Sequence, residues 1–431
     1  MSEGNNQVIR PAQNVNGSVR LPGDKSISHR YAMLSALASG TTKLDNFSAA
    51  ADCRSTLDCM QRLGVTVRQT ERHVEVDGVG MQLSAPNQAL DCGNSGSTMR
   101  MLSGILAGQD FESELIGDSS LTNRPMARII EPLRMMGATV AGTADNKPPL
   151  HIRGGKLKSI DYKPKVASAQ VKSCVLFAGL FAEGKTTIEE PVRTRDHGEL
   201  ALRAFGAEVE RTQTKVSIGG GQKLSAIEAY VPGDMSSAAF FLCAAALFPE
   251  ANLILDHVLL NPTRAGILDI LTLMGGRVSF LQVEQQQFEL IGTVRFQPGK
   301  LKGARISGAQ IANLIDELPV LAAIGPYTEE GVEIRDAREL RVKESDRIGA
   351  VVRNLRAMGA TVEEFEDGLR VPGGQTLHGA EIESFGDHRI AMAFSVAALR
   401  AEGETLIRGA EAVAVSYPSF YEDLGRLISG S

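Results

Sequence analysis

The chain has 431 residues, too long for one hydrophobic core, which rarely exceeds about 250–300 residues, so two or more domains are expected. Hydrophobic residues make up 43% of the chain and charged residues 22%, and the formal net charge is −6. This acidic balance argues against nucleic acid as a partner. The sequence contains no stretch of roughly 18 apolar residues, and its N-terminal residues lack the features of a targeting signal. We therefore expect no membrane span and predict a cytoplasmic protein.

The first predicted helix follows a polar cluster, and the same pattern of a polar cluster before a run of small apolar residues occurs six times. Ser, Asp, Asn and Gly at the head of an apolar run are typical of helix N-caps. Unpaired backbone N–H groups and the helix dipole make such an end attractive to anions. The six clusters are GDKSISHR (23–30), GNSGSTMR (93–100), ASAQVKS (167–173), GDMSSAA (233–239), LIDELPV (314–320) and GDHRIAM (386–392). The pattern predicts helix ends that converge on a strongly anionic ligand.

A second helix is predicted later in each repeat, and a glycine marks its end. The glycines are Gly64, Gly137, Gly206, Gly275 and Gly359, with a shortened copy at Gly425. Within a repeat the predicted order is strand, helix, strand, helix and then further strands, which is an α/β unit larger than the repeats of solenoids. Three repeats precede about residue 233 and three follow, so EAYVPGDMSS (228–237) is the predicted crossover between domains.

The cysteines are scattered along the sequence, and no C-x-x-C pair occurs. Their odd number and their spacing fit neither a disulfide framework nor a zinc site. We therefore predict free thiols in or near the hydrophobic core. The five positions are Cys53, Cys59, Cys92, Cys174 and Cys243.

The segment LPGDKSISHR (21–30) is the sharpest local indication of chemistry. It places Lys25, Ser26 and Arg30 on a glycine turn and the first turn of a helix. An ammonium, a hydroxyl and a guanidinium together suit a phosphate or a carboxylate. The spacing of a Walker A loop is missing, so a nucleotide-binding P-loop is not indicated. By itself the segment is more typical of an ordinary solvated N-cap.

Taken together, the motifs resemble the 5-enolpyruvylshikimate-3-phosphate synthase family over essentially the whole chain. The motifs that occur in the family's order include GNSGSTMR (93–100), TNRPM (122–126), SAQ (168–170), LIDE (314–317), RVKESDR (341–347) and GDHR (386–389). The resemblance implies a two-domain inside-out α/β barrel of six βαβαββ repeats, three in each domain. It also implies that residues 1–18 and 234–431 form one domain and residues 19–233 the other, with the substrates in the cleft between them.

The resemblance implies a transferase that moves the enolpyruvyl group of phosphoenolpyruvate to the 5-hydroxyl of shikimate 3-phosphate, on the route to chorismate and the aromatic amino acids. It implies no metal and no organic cofactor, and we predict a monomer that binds neither nucleic acid nor a membrane. The residues matched to phosphoenolpyruvate binding are Lys25, Asn94, Gly96, Arg124, Gln170, Arg347 and Arg389. The residues matched to shikimate 3-phosphate binding are Lys25, Ser26, Arg30, Ser168, Ala169, Gln170, Arg195, Asp316 and Lys343.

Three residues are matched to catalysis. The family pattern makes Asp316 the base that takes the 5-hydroxyl proton and Glu344 the acid that protonates the methylene carbon of phosphoenolpyruvate, while Lys25 lies between the substrates. Glu344 must then hold a proton near neutral pH while Asp316 stays ionised, so their environments should differ. Without the resemblance, Asp316 and the neighbouring Glu317 are as easily explained as residues that favour a helix start.

Other charged residues have ordinary structural explanations of the same kind. Lys343, Glu344 and Arg347 fit a solvated charged helix in which Glu344 and Arg347 form an (i, i+3) pair. His29 is more typical of a structural histidine. His388 is a minor candidate for a residue that holds substrate-binding side chains in place without contacting the substrate.

The chain departs from one branch of the family at two positions. Val415 stands where that branch has a lysine near the C-terminus, and Glu339 stands where it has an asparagine. Both departures, and the segment TRDH (194–197), resemble the second, more divergent class. Gly96 is the small residue associated with sensitivity to the herbicide glyphosate, so we expect inhibition; full turnover in millimolar glyphosate would contradict this expectation.

Two other functions are compatible with parts of the pattern. UDP-N-acetylglucosamine enolpyruvyl transferases have a similar architecture, but their catalytic loop carries a cysteine and a G-A-R-P run that IGDSSLTNRPM (116–126) lacks. A non-catalytic metabolite-binding relative is the second alternative. The presence of Lys25, Asp316 and Glu344 argues against it.

Overall fold

The computed structural model describes residues 6–429 of the chain, which form two compact units. The unit that we call the C-terminal unit contains the described residues up to Leu21, Pro232–Glu284 and the described residues from Leu290 onward. The N-terminal unit contains Pro22–Val231 and Gln285–Glu289. In the described part of the chain, no helix combines the length and the apolar character that a membrane crossing requires.

The helices are numbered α1 to α13 in chain order. They are Lys25–Leu37, Ala51–Arg62, Gly96–Ala107, Ala127–Met135, Ala169–Gly179, His197–Ala204, Met235–Ala246, Gly266–Leu273, Gln310–Leu314, Leu318–Ile324, Arg347–Ala357, His388–Ala398 and Phe420–Ser429. Short 3₁₀ helices cover Leu121–Asn123, Gly325–Tyr327, Arg338–Val342 and Ala410–Val415.

The strands are numbered β1 to β26 in the same way. Up to the end of the N-terminal unit's main segment they are Gln7–Ile9, Asn16–Arg20, Ala38–Asp45, Thr66–Thr70, His73–Val79, Leu90–Asp91, Glu112–Ile116, Thr139–Ala141, Leu150–Arg153, Leu157–Lys158, Asp161–Tyr162, Ala182–Glu183, Lys185–Glu189, Val209–Arg211, Lys215–Gly219, Leu224–Ser225 and Glu228–Tyr230. The remaining strands are Asn252–Leu259, Arg277–Gln286, Glu289–Gln297, Ala304–Ile306, Val332–Ile334, Glu363–Phe365, Gly368–Val371, Glu381–Glu383 and Thr405–Arg408.

One sheet topology recurs through the chain, which confirms the predicted α/β repeats. The sheets β6-β7-β9-β8, β11-β13-β15-β14 and β21-β22-β24-β23 place the fourth strand of the repeat between its second and third. The sheet β2-β18-β20-β19 follows the same order. In the remaining sheet, β16 and β17 both pair with one edge of β3, and β5 and then β4 follow on its other side. In the last repeat, β1 pairs antiparallel with β26, so the N-terminal strand completes the C-terminal sheet.

Two strands are exchanged between the units along the chain. Strand β2 directly precedes α1 of the N-terminal unit, yet it pairs in parallel with β18 of the C-terminal unit, from Asn16↔Asn252 to Arg20↔Asp256. Strand β17 directly precedes α7 of the C-terminal unit, yet it pairs in parallel with β3 of the N-terminal unit. In each unit, the first strand of one sheet therefore lies in the segment that directly precedes the first helix of the other unit.

The first helix of most repeats is buried on all sides, whereas the second helix is amphipathic. In α1, every residue from Ile27 to Leu37 is buried, and α7 is buried over its whole length. A helix with apolar residues all round has to lie inside a core. Helices therefore occupy the interior of each unit and sheets cover them, as the inside-out fold class predicts. All five cysteines are buried and none forms a disulfide, as expected.

Five of the six predicted N-caps are present. Asp24, Ser95, Ser168, Asp234 and Asp387 each accept a hydrogen bond from a backbone N–H in the first turn of the helix that follows. The exception is α10, whose N-cap residue makes no such hydrogen bond. There Asp316 and Glu317 turn towards arginines, as described below, and Glu317 also accepts from the hydroxyl of Ser236, so the cluster LIDELPV (314–320) is used for contacts other than capping.

Five of the predicted helix-ending glycines lie just past a helix end. Their φ angles are +88°, +105°, +91°, +102° and +88° for Gly64, Gly137, Gly206, Gly275 and Gly359. In each case the residue after the glycine donates its N–H to the carbonyl five residues back, as Val65 does to Met60 at 3.1 Å, which is the Schellman motif. The predicted copy at Gly425 is wrong, because this residue lies inside α13.

Candidate active site

The predicted site residues of the N-terminal unit gather at the N-termini of α1, α3 and α5. Arg30 connects two of these helix ends, since its Nε and Nη2 donate to Ser173 Oγ at 3.2 and 2.9 Å and its Nη1 donates to the carbonyl of Ser26 at 2.8 Å. Burial lowers the pKa of Arg30 to about 10, so the guanidinium is still charged at neutral pH. Its hydrogen-bond acceptors are the hydroxyl of Ser173 and the carbonyls of Ser26 and Ala169, none of which carries a charge.

Arg195 contributes a second cation to the same region. It is half-buried between Thr194 and Asp196, and its charge is one of the influences that lower the pKa of Arg30. Two neighbouring guanidiniums disfavour each other's charged form, so the pair is suited to an anionic ligand. Arg30 and Arg195 are therefore close enough for the charge of one to act on the other.

Gln170 links α5 to α3. Its Oε1 accepts from Nη1 of Arg100 at 2.6 Å, and its Nε2 donates to Oγ of Ser97 at 2.8 Å. Ser97 and Arg100 belong to the motif GNSGSTMR, but the sequence analysis did not single them out. Ser168 caps α5 by accepting from the N–H of Val171 at 3.4 Å, so its hydroxyl lies at the same helix end.

Asn94, Gly96 and Arg124 also lie together. Nη2 of Arg124 donates to Oδ1 of Asn94 at 2.7 Å. A methyl group added at Gly96 would lie 3.0 Å from Nη1 of Arg100 and 3.3 Å from Nη1 of Arg124. Contacts of that length require a neighbouring side chain to shift, so any larger residue at Gly96 would displace one or both guanidiniums.

Lys25 is held by an acid that the sequence analysis missed. Its Nζ lies 3.0 Å from Oδ2 of Asp52, and the two side chains are 17% and 9% exposed. Asp52 is 27 residues further along, on α2, so no local pattern pairs it with Lys25. His29, one turn along α1, contacts Oγ1 of Thr56 at 2.7 Å, and burial together with Lys25 and Arg30 lowers its pKa well below the ordinary value. A buried neutral histidine of this kind has the structural role that the sequence favours.

A buried ion cluster fixes the segment that carries Arg195. Nζ of Lys172 lies 2.8 Å from Oε2 of Glu190 and 3.0 Å from Oε1 of Glu199, and all three side chains are at most 3% exposed. Thr194 donates its hydroxyl to Glu190, and Lys172 also donates to the carbonyl of Thr194 at 3.5 Å. The cluster anchors both ends of residues 190–199, so it sets the position of Arg195.

In the C-terminal unit, the second group of predicted residues surrounds Arg347 at the start of α11. This guanidinium donates from Nη2 to Oε2 of Glu344 at 2.7 Å and from Nη1 to Oδ1 of Asp316 at 3.4 Å. Its Nε donates to Oδ2 of Asp387 at 2.8 Å. Arg389 donates from Nη1 to the backbone carbonyl of Asp316 at 3.0 Å. The predicted acid, base and two phosphoenolpyruvate arginines are therefore in direct contact.

The charges of this group act strongly on one another. Burial by itself would lower the pKa of Arg347, but the carboxylates of Asp387, Glu344 and Asp316 outweigh it and raise that pKa above its ordinary value. Burial also opposes ionisation of Asp387, but the charge of Arg347 outweighs it and lowers the pKa of Asp387. The pKa of Lys343 is lowered, mainly by burial and in addition by the positive charge of Arg347.

The positions that depart from the other branch of the family are also placed. Glu339 lies in the 3₁₀ helix Arg338–Val342, and its charge is one of those that act on Lys343. Val415 is half-buried at the end of the 3₁₀ helix Ala410–Val415. An acid near Lys343 partly offsets its tendency to lose a proton.

Several arginines, a lysine and two carboxylates that share one arginine are typical of an enzyme that acts on small acidic metabolites. The comparisons with known proteins agree with this class. The family model described as EPSP synthase (3-phosphoshikimate 1-carboxyvinyltransferase) matches residues 9–424. The chain belongs to the EPSP synthase family.

Individual relatives are similar over nearly their full length. The chain is 64% identical to the 3-phosphoshikimate 1-carboxyvinyltransferase of Koribacter versatilis, over 97% of this chain and 98% of that relative. It is 47% identical to the 3-phosphoshikimate 1-carboxyvinyltransferase of Bacillus subtilis, over 96% and 98%. The solved EPSP synthase structure from Acinetobacter baumannii superimposes with a TM-score of 0.87 at 42% identity, covering 98% of each chain. These names favour the predicted function over the nucleotide-sugar alternative.

Proposed function

We propose that the chain transfers the enolpyruvyl group of phosphoenolpyruvate to the 5-hydroxyl of shikimate 3-phosphate, which yields 5-enolpyruvylshikimate 3-phosphate and phosphate. The reaction belongs to the biosynthesis of chorismate and the aromatic amino acids, and we place it in the cytoplasm and in a monomeric enzyme. The observation that carries the proposal is the contact of Arg347 with both Glu344 and Asp316, at 2.7 and 3.4 Å, beside Arg389.

The two groups of residues would divide the ligands between them. Arg124, Arg347 and Arg389 would bind the phosphate and carboxylate of phosphoenolpyruvate, for which guanidinium forks are well shaped. Asn94, Gly96 and Gln170 would support that substrate, and Lys25 would lie between the two. Shikimate 3-phosphate would take the remaining residues, namely Ser26, Arg30, Ser168, Ala169, Arg195 and Lys343, together with Lys25, Gln170 and Asp316.

The chemistry would be an addition followed by an elimination. Glu344 gives a proton to the methylene carbon of phosphoenolpyruvate, and the adjacent carbon gains cationic character. The 5-hydroxyl oxygen attacks that carbon while Asp316 takes its proton, so a tetrahedral adduct forms. Loss of a proton from the new methyl group then restores the double bond as phosphate leaves with its bonding electrons. No step requires a metal or an organic cofactor.

Ligand binding would also prepare the acid. In this structure Arg347 is held by the side chains of Glu344, Asp316 and Asp387. Phosphoenolpyruvate would compete with Glu344 and Asp316 for the guanidinium. A carboxylate that loses its cationic partner in a buried site takes up a proton more readily. Binding of the donor would therefore favour the protonated Glu344 that the first step needs.

A phosphate-release assay with two acceptors tests the proposal. We expect rapid release of phosphate from phosphoenolpyruvate in the presence of shikimate 3-phosphate. We expect none above background with UDP-N-acetylglucosamine, because the loop at residues 116–126 lacks the cysteine of the enzymes that use it. Release with the nucleotide sugar alone would replace the proposed acceptor. Binding of both substrates with no release between pH 5 and 9 would favour a non-catalytic relative.

A further inference from the structure

Arg264 is a buried arginine that none of the sequence motifs includes. It lies just before α8, and its side chain is 2% exposed. Its Nη2 donates to Oδ1 of Asp234, the N-cap of α7, at 3.2 Å. Its Nη1 lies 3.5 Å from Oδ2 of Asp316 and 3.6 Å from Oε1 of Glu317. One guanidinium therefore joins three acidic side chains of the C-terminal unit.

The backbone around Arg264 holds the guanidinium in place. Oδ1 of Asn261 accepts from the N–H and from the hydroxyl of Thr263, both at 2.8 Å, and the N–H of Arg264 donates to the carbonyl of Asn261 at 2.8 Å. Asp234 is itself fixed, because it also accepts from the N–H of Ser236 at 2.7 Å. The position of Arg264 is therefore set by a closed turn and by a helix cap.

Asp316 lies near three arginines, of which two are assigned to phosphoenolpyruvate and one is not. Oδ2 of Asp316 lies near Arg264, whereas its Oδ1 lies 3.4 Å from Nη1 of Arg347 and 3.7 Å from Nε of Arg389. Lys343 adds a further positive charge that acts on this carboxylate. The other acidic groups of the same cluster are Asp234, Glu317, Glu344 and Asp387.

The proposed function assigns Arg347 and Arg389 to phosphoenolpyruvate, so the donor draws both guanidiniums away from Asp316. A buried carboxylate that loses its cations either takes up a proton or makes binding of the donor less favourable. Arg264 is also held by Asp234 and Glu317, and the proposed function assigns it to neither substrate, so it stays in place. Arg264 is thus the cation that remains beside Oδ2 of Asp316.

We propose that Arg264 is a positioning residue that keeps Asp316 ionised and oriented as a base while phosphoenolpyruvate occupies Arg347 and Arg389. The inference rests on the proposed function and extends it to a residue outside the matched motifs. Without Arg264, donor binding would leave Asp316 poorly compensated, so the donor would bind more weakly and the base would be lost at a higher pH.

Steady-state kinetics of Arg264→Met test this role. We expect KM for phosphoenolpyruvate to rise about tenfold or more, while KM for shikimate 3-phosphate changes by less than about twofold. The acid limb of the kcat profile, which reports groups of the substrate-bound enzyme, should move up by about one pH unit, since an opposite charge within about 4–6 Å shifts a carboxyl by one to three units. Arg264→Lys, which keeps the charge, should recover most of both effects.

The controls separate this role from simple destabilisation. Arg264→Gln gives the same readouts if the methionine variant does not fold, and Arg356→Met removes an exposed arginine of the same unit that contacts only a backbone carbonyl among the described hydrogen bonds. Folded Arg264 variants with wild-type KM values and an unmoved acid limb would overturn the inference alone. A wild-type enzyme that releases no phosphate would overturn the proposed function and this inference with it.

Discussion

Replacement of Glu344 by Gln should lower kcat by about 10²–10⁴-fold, the range that a positioned general acid contributes. Asp316→Asn should lower kcat by a similar factor, because the amide cannot take the hydroxyl proton. Both variants release Arg347 from a competing carboxylate, since the partners at 2.7 and 3.4 Å lose their negative charge. KM for phosphoenolpyruvate should therefore stay the same or fall. Steady-state phosphate release measures both constants.

The prediction is specific because kcat should fall while KM for phosphoenolpyruvate should not rise. A variant with a damaged fold would lose affinity together with turnover. Glu363→Gln is the matched control, because Glu363 is an exposed acid on β23 of the same unit, and it should leave both constants unchanged. Wild-type kcat in either Glu344→Gln or Asp316→Asn would remove the role proposed for that residue.

Replacement of Lys172 by Met should lower the free energy of unfolding by about 3–5 kcal/mol, because it leaves two buried carboxylates without their cation. Lys172, Glu190 and Glu199 are at most 3% exposed. The matched control is Lys185→Met, which removes a 50% exposed partner of Glu210 and should cost at most about 1 kcal/mol. Chemical denaturation of the two variants measures the difference, and equal losses would contradict the account.

The pH dependence of the Lys172→Met variant follows from Glu199. Burial raises the pKa of Glu199, and Lys172 opposes that shift. An acid whose pKa is higher in the folded than in the unfolded state binds more protons when folded, so its contribution to stability grows as pH falls and is lost as pH rises through the folded value. The variant should therefore be more stable at pH 5 than at pH 8, relative to the wild type. Adding Glu199→Gln should restore part of the stability at pH 8.

Local chemistry made the repeats predictable from the sequence. Asp24 and Ser95 mark helix starts because their side chains satisfy backbone N–H groups a few residues away. Gly64 and the glycines like it mark helix ends because the left-handed conformation costs glycine little. Both effects act within about six residues of the chain. The failure at Gly425 shows the limit, because a glycine inside a helix has the same letter but none of that geometry.

Residues that act through distant partners were not predictable in this way. Asp52 reaches Lys25 from another helix, and Arg264 reaches Asp316 across 52 positions of sequence. Lys172 was visible within a motif, but its two acidic partners lie outside that motif. The exchange of β2 and β17 between the units is likewise a matter of strand pairing, which no periodicity encodes.

The measurement that tests the central claim most directly is the reaction in deuterium oxide, followed by NMR of the product. If an acid protonates the methylene carbon of phosphoenolpyruvate, the enolpyruvyl methylene of the product must carry deuterium, because the methyl group of the adduct loses one of three hydrogens in the elimination. We predict deuterium at that carbon, formed at the rate of phosphate release. A product formed at full rate with no deuterium there would contradict the addition–elimination that Glu344 and Asp316 are proposed to catalyse.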